Sequence, residues 1–186
     1  MEQMKETIIV NLIGGQGTGK STLMAEVFSW LKWHNIDSEM CTEFAKELIW
    51  EKRDETFKDE LYIFAKQNHR LSCCNGKVNV IITDRPLIMS VVFNEYYGNP
   101  LNTNWNKAYN NMVVETYKQY NNLNFYLKRV KPYNTNGRNE TFEQAKEFDN
   151  HFLNYLIDNN IDYIPIDADE TAAKIIGKII AQKLQQ

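Results

Sequence analysis

The sequence predicts an α/β fold in which a five-stranded parallel sheet has helices on both faces. Short runs of β-branched and apolar residues alternate with longer segments whose apolar residues recur at helical spacing. Parallel strands joined by helices need crossovers, and repeated crossovers cover both faces of the sheet. The 186 residues, of which 43% are hydrophobic and 24% are charged, suit one domain spanning 1–186.

Five segments have the composition of buried β-strands. TIIVNLI is a β-branched run closed by glycines, and VNVIITDRP is the clearest of the other four. Pro86, which ends the second of these runs, suits the first turn of a helix because that position needs no amide hydrogen. The predicted strands cover residues 7–13, 37–41, 78–86, 123–129 and 161–166.

Apolar residues at helical spacing fill the intervals between the strands. After the second strand, Thr42 resembles an N-cap that places Glu43 in the first turn of a helix. Residues 57–73 form the next predicted helix, whose buried side is expected to comprise Leu61, Phe64, Ala65, Asn68 and Leu71. The remaining predicted helices cover about 20–34, 86–97, 105–120 and 141–159, with a last helix from Ala172.

Composition and charge narrow the class of protein. A net charge of −3 disfavours a dedicated nucleic-acid binder, which usually has a basic surface. No apolar run approaches the roughly 20 residues that cross a bilayer. The polar start MEQMKET predicts no signal peptide, and the three cysteines form neither a disulfide framework nor a metal-binding spacing. We therefore expect a cytoplasmic protein with no membrane partner.

The segment GGQGTGKST contains a complete G-x-x-x-x-G-K-[ST] motif between a predicted strand and a predicted helix. Glycines let backbone N–H groups turn towards phosphate oxygens at a helix N-terminus, where the dipole adds positive potential. Lys20 is expected to reach the β- and γ-phosphates of ATP, and the Ser21 hydroxyl to ligate Mg²⁺. The motif therefore predicts a three-layer P-loop NTPase fold. The nucleotide-binding residues predicted from this segment are Gly15, Gln16, Gly17, Thr18, Gly19, Lys20, Ser21 and Thr22.

Two carboxylates follow other predicted strands. Asp84 follows VNVII, where a P-loop site needs an acidic ligand that holds Mg²⁺ together with Ser21. The alternative is that Asp84 only caps the helix beginning near Pro86. Glu43 follows the second strand, and we expect it to orient the hydroxyl of a phosphoryl acceptor. The alternative is that Glu43 only stabilises the dipole of a helix from its first turn.

A basic, turn-rich segment follows the fourth strand. Its sequence, YLKRVKPYNTNGRNE, includes Arg129 and Arg138. A loop of this kind can close over ATP, exclude water and bring a guanidinium to the γ-phosphate. We therefore predict a lid at about 129–141, in which Arg129 binds the nucleotide and Arg138 is catalytic. The alternative is a solvated basic loop that offsets an acidic protein. The complete set of predicted catalytic residues is Lys20, Asp84, Arg138 and Glu43.

The chain resembles the small P-loop kinases grouped with the nicotinamide-riboside kinase domain of the bacterial NAD regulator, including many phage-encoded relatives. The matching blocks are GGQGTGKST, TEFAKEL, VIITDRPLIMSVVFNEYYG and the stretch from NFYLKR to DYIPI, which together cover nearly the whole chain. One departure is that Asn136 and Gly137 precede Arg138 where the family lid often has Asp-Gly. The resemblance implies a kinase and the family's site roles for Gly19, Lys20, Ser21, Asp84, Arg138 and Glu43.

These features together predict a kinase that uses ATP and Mg²⁺ to phosphorylate a nucleoside- or nucleotide-like small molecule. One alternative is a nucleotide-binding switch or ATPase without a small-molecule acceptor. Another is a kinase acting on a nucleic-acid hydroxyl, which the acidic net charge disfavours. We also consider a homodimer formed through the aromatic-rich region 92–120.

Overall fold

Five parallel strands form a sheet in the computed structural model of the chain, which describes residues 6–97, 103–130, 133 and 141–185. The strands are β1 (Ile8–Ile13), β2 (Ser38–Cys41), β3 (Val80–Thr83), β4 (Asn121–Lys128) and β5 (Ile164–Asp167). Their order across the sheet is β2-β3-β1-β4-β5, and each neighbouring pair is parallel. The predicted five-stranded parallel sheet is therefore confirmed.

Helices cover both faces of this sheet because successive residues of a strand point to opposite sides. On one face, Ile8, Val10 and Leu12 of β1 pack with the first and last helices. On the other face, Ile9 and Ile13 pack with the fourth to seventh helices. The helices are α1 (Lys20–Trp33), α2 (Ala45–Trp50), α3 (Asp54–Phe57), α4 (Glu60–Cys74), α5 (Met89–Tyr97), α6 (Thr103–Tyr117), α7 (Phe142–Asp158) and α8 (Ala172–Lys183). None of the helices described is long and apolar enough to cross a membrane.

The start of α2 differs from its prediction. Thr42 is not the N-cap, because the helix begins at Ala45 after Phe44. The Phe44 N–H group donates to the side-chain oxygen of Gln67 at 3.0 Å. The buried Gln67 of α4 therefore satisfies a backbone amide at the N-terminus of α2, as a capping residue would. Glu43 therefore lies ahead of the helix and not in its first turn.

The helix predicted over 57–73 begins later, at Glu60 in α4, and it is preceded by the short helix α3, which was not predicted. The break lies at Asp59, which caps α4 by accepting the Tyr62 N–H group at 3.0 Å. The predicted buried side is also wrong in part, since Leu61 is 44% exposed and Gln67 is only 1% exposed. Gln67 can be buried because its amide group finds partners, which a count of apolar residues does not reveal.

Buried amide groups join β1 and β4. The Asn11 amide donates to the side-chain oxygens of Asn122 and Asn124, both at 2.9 Å. The Tyr117 hydroxyl donates to the same Asn124 oxygen at 2.9 Å, and burial raises the pKa of Tyr117 to about 12, so this hydroxyl remains a donor at neutral pH. With their polar groups paired, asparagines can occupy a buried strand. This explains why β4 begins at Asn121, earlier than predicted.

The carboxyl ends of the strands bring the predicted site residues to one edge of the sheet, where open α/β sheets bind ligands. The phosphate loop follows β1, Asp84 follows β3, and Arg129 follows β4. Glu43 lies two positions beyond the end of β2, the strand next to β3. Residues far apart in the sequence are therefore neighbours at this edge.

We expect Asn124→Leu to destabilise the protein, because this change removes the acceptor of both the Tyr117 hydroxyl and one Asn11 N–H group. A buried polar group left unpaired costs about 1–3 kcal/mol, so the free energy of unfolding should fall by roughly 2–4 kcal/mol. Urea unfolding followed by circular dichroism measures the change.

The matched control is Asn121→Leu, in the same strand, where the amide bonds Glu6 at an exposed position. A surface change of this kind should alter the free energy of unfolding by less than about 0.5 kcal/mol. If Asn124→Leu proves as stable as the wild type, the buried network does not contribute to stability.

Candidate functional site

The phosphate loop joins β1 to α1 as the motif requires. Gly19 lies directly before α1 with a φ of 94°, a left-handed conformation that a residue with a side chain rarely adopts. The Thr18 hydroxyl closes the loop by donating to the Gly15 carbonyl at 3.0 Å. Of the other predicted binding residues, Gln16 and Gly17 lie in the loop, and Thr22 is exposed in the first turn of α1.

Lys20 is the first residue of α1 and folds back over the loop. Its Nζ donates to the Gly15 carbonyl at 2.8 Å. Burial lowers the pKa of Lys20 from its ordinary value, and the nearby carboxylates of Glu43, Asp84 and Asp149 oppose this shift. The ammonium group therefore lies among negative charges at the point where a P-loop receives phosphates.

Asp84 connects the phosphate-loop helix to the segment after β2. The Ser21 hydroxyl donates to Asp84 Oδ2 at 2.6 Å, and the Glu43 N–H group donates to Asp84 Oδ1 at 3.0 Å. Asp84 is buried, whereas Ser21 is exposed to solvent. Among the residues described, each oxygen of the Asp84 carboxylate has a partner outside the helix that follows β3. These contacts differ from those of a residue that only caps that helix.

The Ser21 and Asp84 side chains fit a magnesium ion. A hydroxyl and a carboxylate oxygen that already lie within hydrogen-bonding distance are the hard ligands that Mg²⁺ prefers. The described residues include no cluster of three or more histidine, cysteine or acidic side chains suited to a metal. Mg²⁺ takes one or two carboxylates and completes its shell with water and phosphate oxygens.

Arg85 fixes Glu43 beside Asp84. The Arg85 side chain is 5% exposed, and its Nη1 donates to Glu43 Oε1 at 3.2 Å. Its Nη2 lies 3.5 Å from Glu60 Oε2, and its guanidinium carbon lies 4.5 Å from the centroid of the Phe93 ring. One buried arginine therefore serves two carboxylates. Glu43 keeps 31% of its side chain exposed, so a ligand can reach it.

Arg129 pairs with Asp149, a carboxylate that belongs to no recognised sequence motif. Arg129 Nε donates to Asp149 Oδ2 at 2.5 Å, and Asp149 Oδ1 accepts the Gly15 N–H group, also at 2.5 Å. Asp149 lies on the buried face of α7, next to Phe148. A charged residue within an apolar helix face is a signal that could have identified it. Arg138 and most of the predicted lid lie outside the described residues.

Comparison with known families gives one match. The model of the family described as AAA domain matches residues 9–173, a span that includes the phosphate loop, Glu43, Asp84 and Arg129. No curated protein matches the chain.

The solved structures similar to this chain include two of NadR protein. "Crystal structure of NadR protein in complex with NR" has a TM-score of 0.69 and 14% identity, over 95% of this chain and 52% of that one. "Crystal structure of NadR protein in complex with NAD and AMP-PNP" has a TM-score of 0.67 and 13% identity, over 95% of this chain and 50% of that one. The chain thus spans about half the length of either structure. At these identities the likeness concerns the fold, and the predicted P-loop NTPase fold is confirmed.

The Arg85 ion pairs generate a prediction about stability and pH. Burial raises the pKa of Glu60, and Arg85 opposes that rise. Replacing Arg85 with methionine removes the opposing charge, so the pKa of Glu60 should rise further. An acid whose pKa is higher in the folded than in the unfolded protein destabilises the fold as the pH rises through the two values. The stability lost by Arg85→Met should therefore be larger at about pH 8 than at about pH 5.

Urea unfolding of both proteins over this pH range measures the difference. Glu60→Gln in the Arg85→Met background should remove most of the pH dependence. The matched control is Arg53→Met, which removes the same charge from an exposed ion pair, because Arg53 pairs with Glu51 at the surface. A stability deficit of Arg85→Met that is equal across the range would contradict the proposed contact between Arg85 and an ionised Glu60.

Proposed function

We propose that this chain, which belongs to the AAA domain family, is an ATP-dependent kinase that phosphorylates a nucleoside-like small molecule. The observation that supports this proposal most strongly is the position of Glu43. Arg85 fixes the accessible carboxylate of Glu43. The backbone N–H group of Glu43 donates to Asp84, which also accepts the Ser21 hydroxyl of the phosphate-loop helix. A kinase needs such a group for its acceptor, whereas phosphate binding alone does not require one.

In this proposal the phosphate loop binds ATP and the Lys20 ammonium stabilises the charge of its β- and γ-phosphates. Ser21 and Asp84 would hold Mg²⁺, which when bound neutralises negative charge on the phosphates. Lys20 lies close enough to Asp84 for their charges to interact, so the two groups act on the same end of the nucleotide.

Glu43 would accept a hydrogen bond from the acceptor hydroxyl and orient its oxygen towards the γ-phosphate. The surroundings favour an acceptor without a phosphate group. Arg85 is shared between Glu43 and Glu60, so this ion-paired group has two carboxylates and one guanidinium. An uncharged or cationic nucleoside would meet less repulsion there than a nucleotide.

The ligands of the two NadR structures fit this proposal. One NadR structure is a complex with NR, and the other is a complex with NAD and AMP-PNP. A shared fold at this level of identity leaves the acceptor to be established for this chain. We propose a nucleoside as the acceptor and ATP as the donor.

We further propose that the chain forms one kinase domain and that the segment 129–141 is its lid. Arg129, at the start of this segment, lies beside the phosphate loop through its ion pair with Asp149. Arg138 would approach the γ-phosphate when the lid closes and stabilise charge that develops during transfer. Closure would also exclude water, which limits hydrolysis of ATP.

An acceptor screen tests the proposed function. The purified protein is incubated with ATP, Mg²⁺ and, separately, nucleosides, nucleotides, nicotinamide riboside or DNA, and the product mass is measured. We expect a phosphorylated product with a nucleoside and little ATP hydrolysis without an acceptor. Lys20→Ala should abolish turnover, because it removes the cation that meets the phosphates. Hydrolysis that is indifferent to the acceptor would instead favour a switch or ATPase, and product from DNA alone would favour a nucleic-acid kinase.

Glu43→Gln tests the acceptor role of this carboxylate. Loss of a group that orients or deprotonates the acceptor typically lowers kcat by roughly 100-fold or more, and we expect a decrease of this size. The affinity for AMP-PNP should change by less than about 2-fold, because the proposed role of Glu43 lies on the acceptor side.

The matched control is Glu47→Gln, which removes the same charge from an exposed part of α2 where Glu47 pairs with Arg70. This control should retain wild-type kcat. The acceptor assignment is wrong if Glu43→Gln retains wild-type kcat, or if it loses nucleotide affinity to the same extent as it loses turnover.

A further inference from the structure

One carboxylate on the buried face of α7 is not explained by packing. The residues around it on this face are apolar, and they include Ala145, Phe148 and Phe152. The Asp149 side chain is nevertheless only 10% exposed. Burial of a carboxylate costs several kcal/mol unless the charge is paired and hydrogen-bonded. Its partners therefore account for its position.

The Asp149 carboxylate connects two segments of the nucleotide site. Oδ2 accepts the Nε–H group of Arg129 at 2.5 Å, and Oδ1 accepts the N–H group of Gly15 at 2.5 Å. The Asp149 main chain is also fixed, since its carbonyl accepts the Tyr126 hydroxyl at 3.1 Å. The carboxylate thus joins the start of the proposed lid to the phosphate loop.

The contact with the phosphate loop leaves little room for a side chain at Gly15, which occupies a variable position of the motif. A Cβ atom at Gly15 would lie 2.6 Å from Asp149 Oδ1 and 3.2 Å from Arg129 Nη2. The Gly15 carbonyl, on the other side of the same residue, accepts the Lys20 ammonium at 2.8 Å. A continuous series of contacts therefore runs from Arg129 through Asp149 and Gly15 to Lys20.

The ion pair with Arg129 determines how the Asp149 carboxylate affects a bound nucleotide. A carboxylate alone beside a phosphate loop would repel the phosphates of a nucleotide. Arg129 neutralises this carboxylate, and the pair uses Nε, the guanidinium nitrogen nearest the main chain. The guanidinium carbon also lies 5.6 Å from the centroid of the Tyr133 ring. The ion pair therefore fixes the direction of the arginine while removing the repulsion.

We propose that Asp149 is a positioning residue that holds Arg129 against the phosphate loop, so that Arg129 contributes to nucleotide affinity only while this ion pair is intact. The inference rests on the nucleotide-binding part of the proposed function. It assigns no contact between Asp149 and the substrate, because the carboxylate acts through Arg129 and Gly15.

A double-mutant cycle on nucleotide affinity tests the inference. Isothermal titration calorimetry with AMP-PNP compares the wild type, Arg129→Gln, Asp149→Asn and the double variant. Arg129→Gln should raise the Kd about 10-fold or more, because it leaves a buried carboxylate unpaired beside the loop. Asp149→Asn should raise the Kd about 5-fold by releasing Arg129, although it removes a negative charge. In the Asp149→Asn background, Arg129→Gln should change the Kd by less than about 2-fold.

Two controls separate positioning from folding and from net charge. In Asp149→Asn, the side-chain amide oxygen can still accept the Gly15 N–H group. Thermal unfolding without nucleotide checks that each variant folds. Glu147→Gln removes a negative charge from an exposed position of α7 and should leave the Kd unchanged.

Several outcomes overturn the inference. Equal effects of Arg129→Gln in both backgrounds would mean that Arg129 acts independently of Asp149. Tighter AMP-PNP binding by Asp149→Asn would mean that the carboxylate only repels phosphate. Reduced thermal stability with an unchanged Kd would mean a purely structural role. If the wild-type protein does not bind AMP-PNP, the proposed function fails as well, whereas binding with additive effects contradicts this inference alone.

Discussion

The arrangement of the whole site depends on the hydrogen bonds of one buried carboxylate, Asp84. It accepts the Ser21 hydroxyl and the Glu43 N–H group, which lie 63 and 41 residues away in the sequence. The strand order β2-β3-β1 brings the three segments side by side, so a single side chain can reach both neighbours. Buried polar groups are costly unless they are fully paired, so these bonds favour one arrangement of the loops.

Two arginines extend this arrangement on the two sides of β1. Arg85 follows β3 and is shared by two carboxylates, whereas Arg129 follows β4 and pairs with Asp149. The group around Arg85 therefore has two carboxylates for one guanidinium, while the pair of Arg129 and Asp149 is balanced. A charge difference of this kind suits a site that holds phosphates next to one wall and a hydroxyl acceptor next to the other.

The sequence predicted most of what depends on local pattern and less of what depends on distant partners. The five strands, seven of the eight helices described and the phosphate loop follow from periodicity and a specific motif, and the structure contains them. The errors concern polar residues that proved to be buried. Gln67 caps α2 from another helix, and Asn124 is paired with Asn11 of β1. Asp149 bonds Gly15 across 134 residues. Only the fold reveals such partners, because no local window contains both members of a pair.

Asp84 and Glu43 are neighbouring carboxylates, and their surroundings suit them to different tasks. Asp84 is 4% exposed and bonds a hydroxyl and an amide at once, which suits a fixed ligand at the phosphate end. Glu43 is 31% exposed, and Arg85 fixes its Oε1 atom. Neighbouring acids commonly take separate roles when burial and partners differ in this way. A carboxylate that orients an acceptor hydroxyl must be accessible to the acceptor and held in one position. Glu43 meets both conditions, so these contacts favour Glu43 over Asp84 as the group that orients the acceptor.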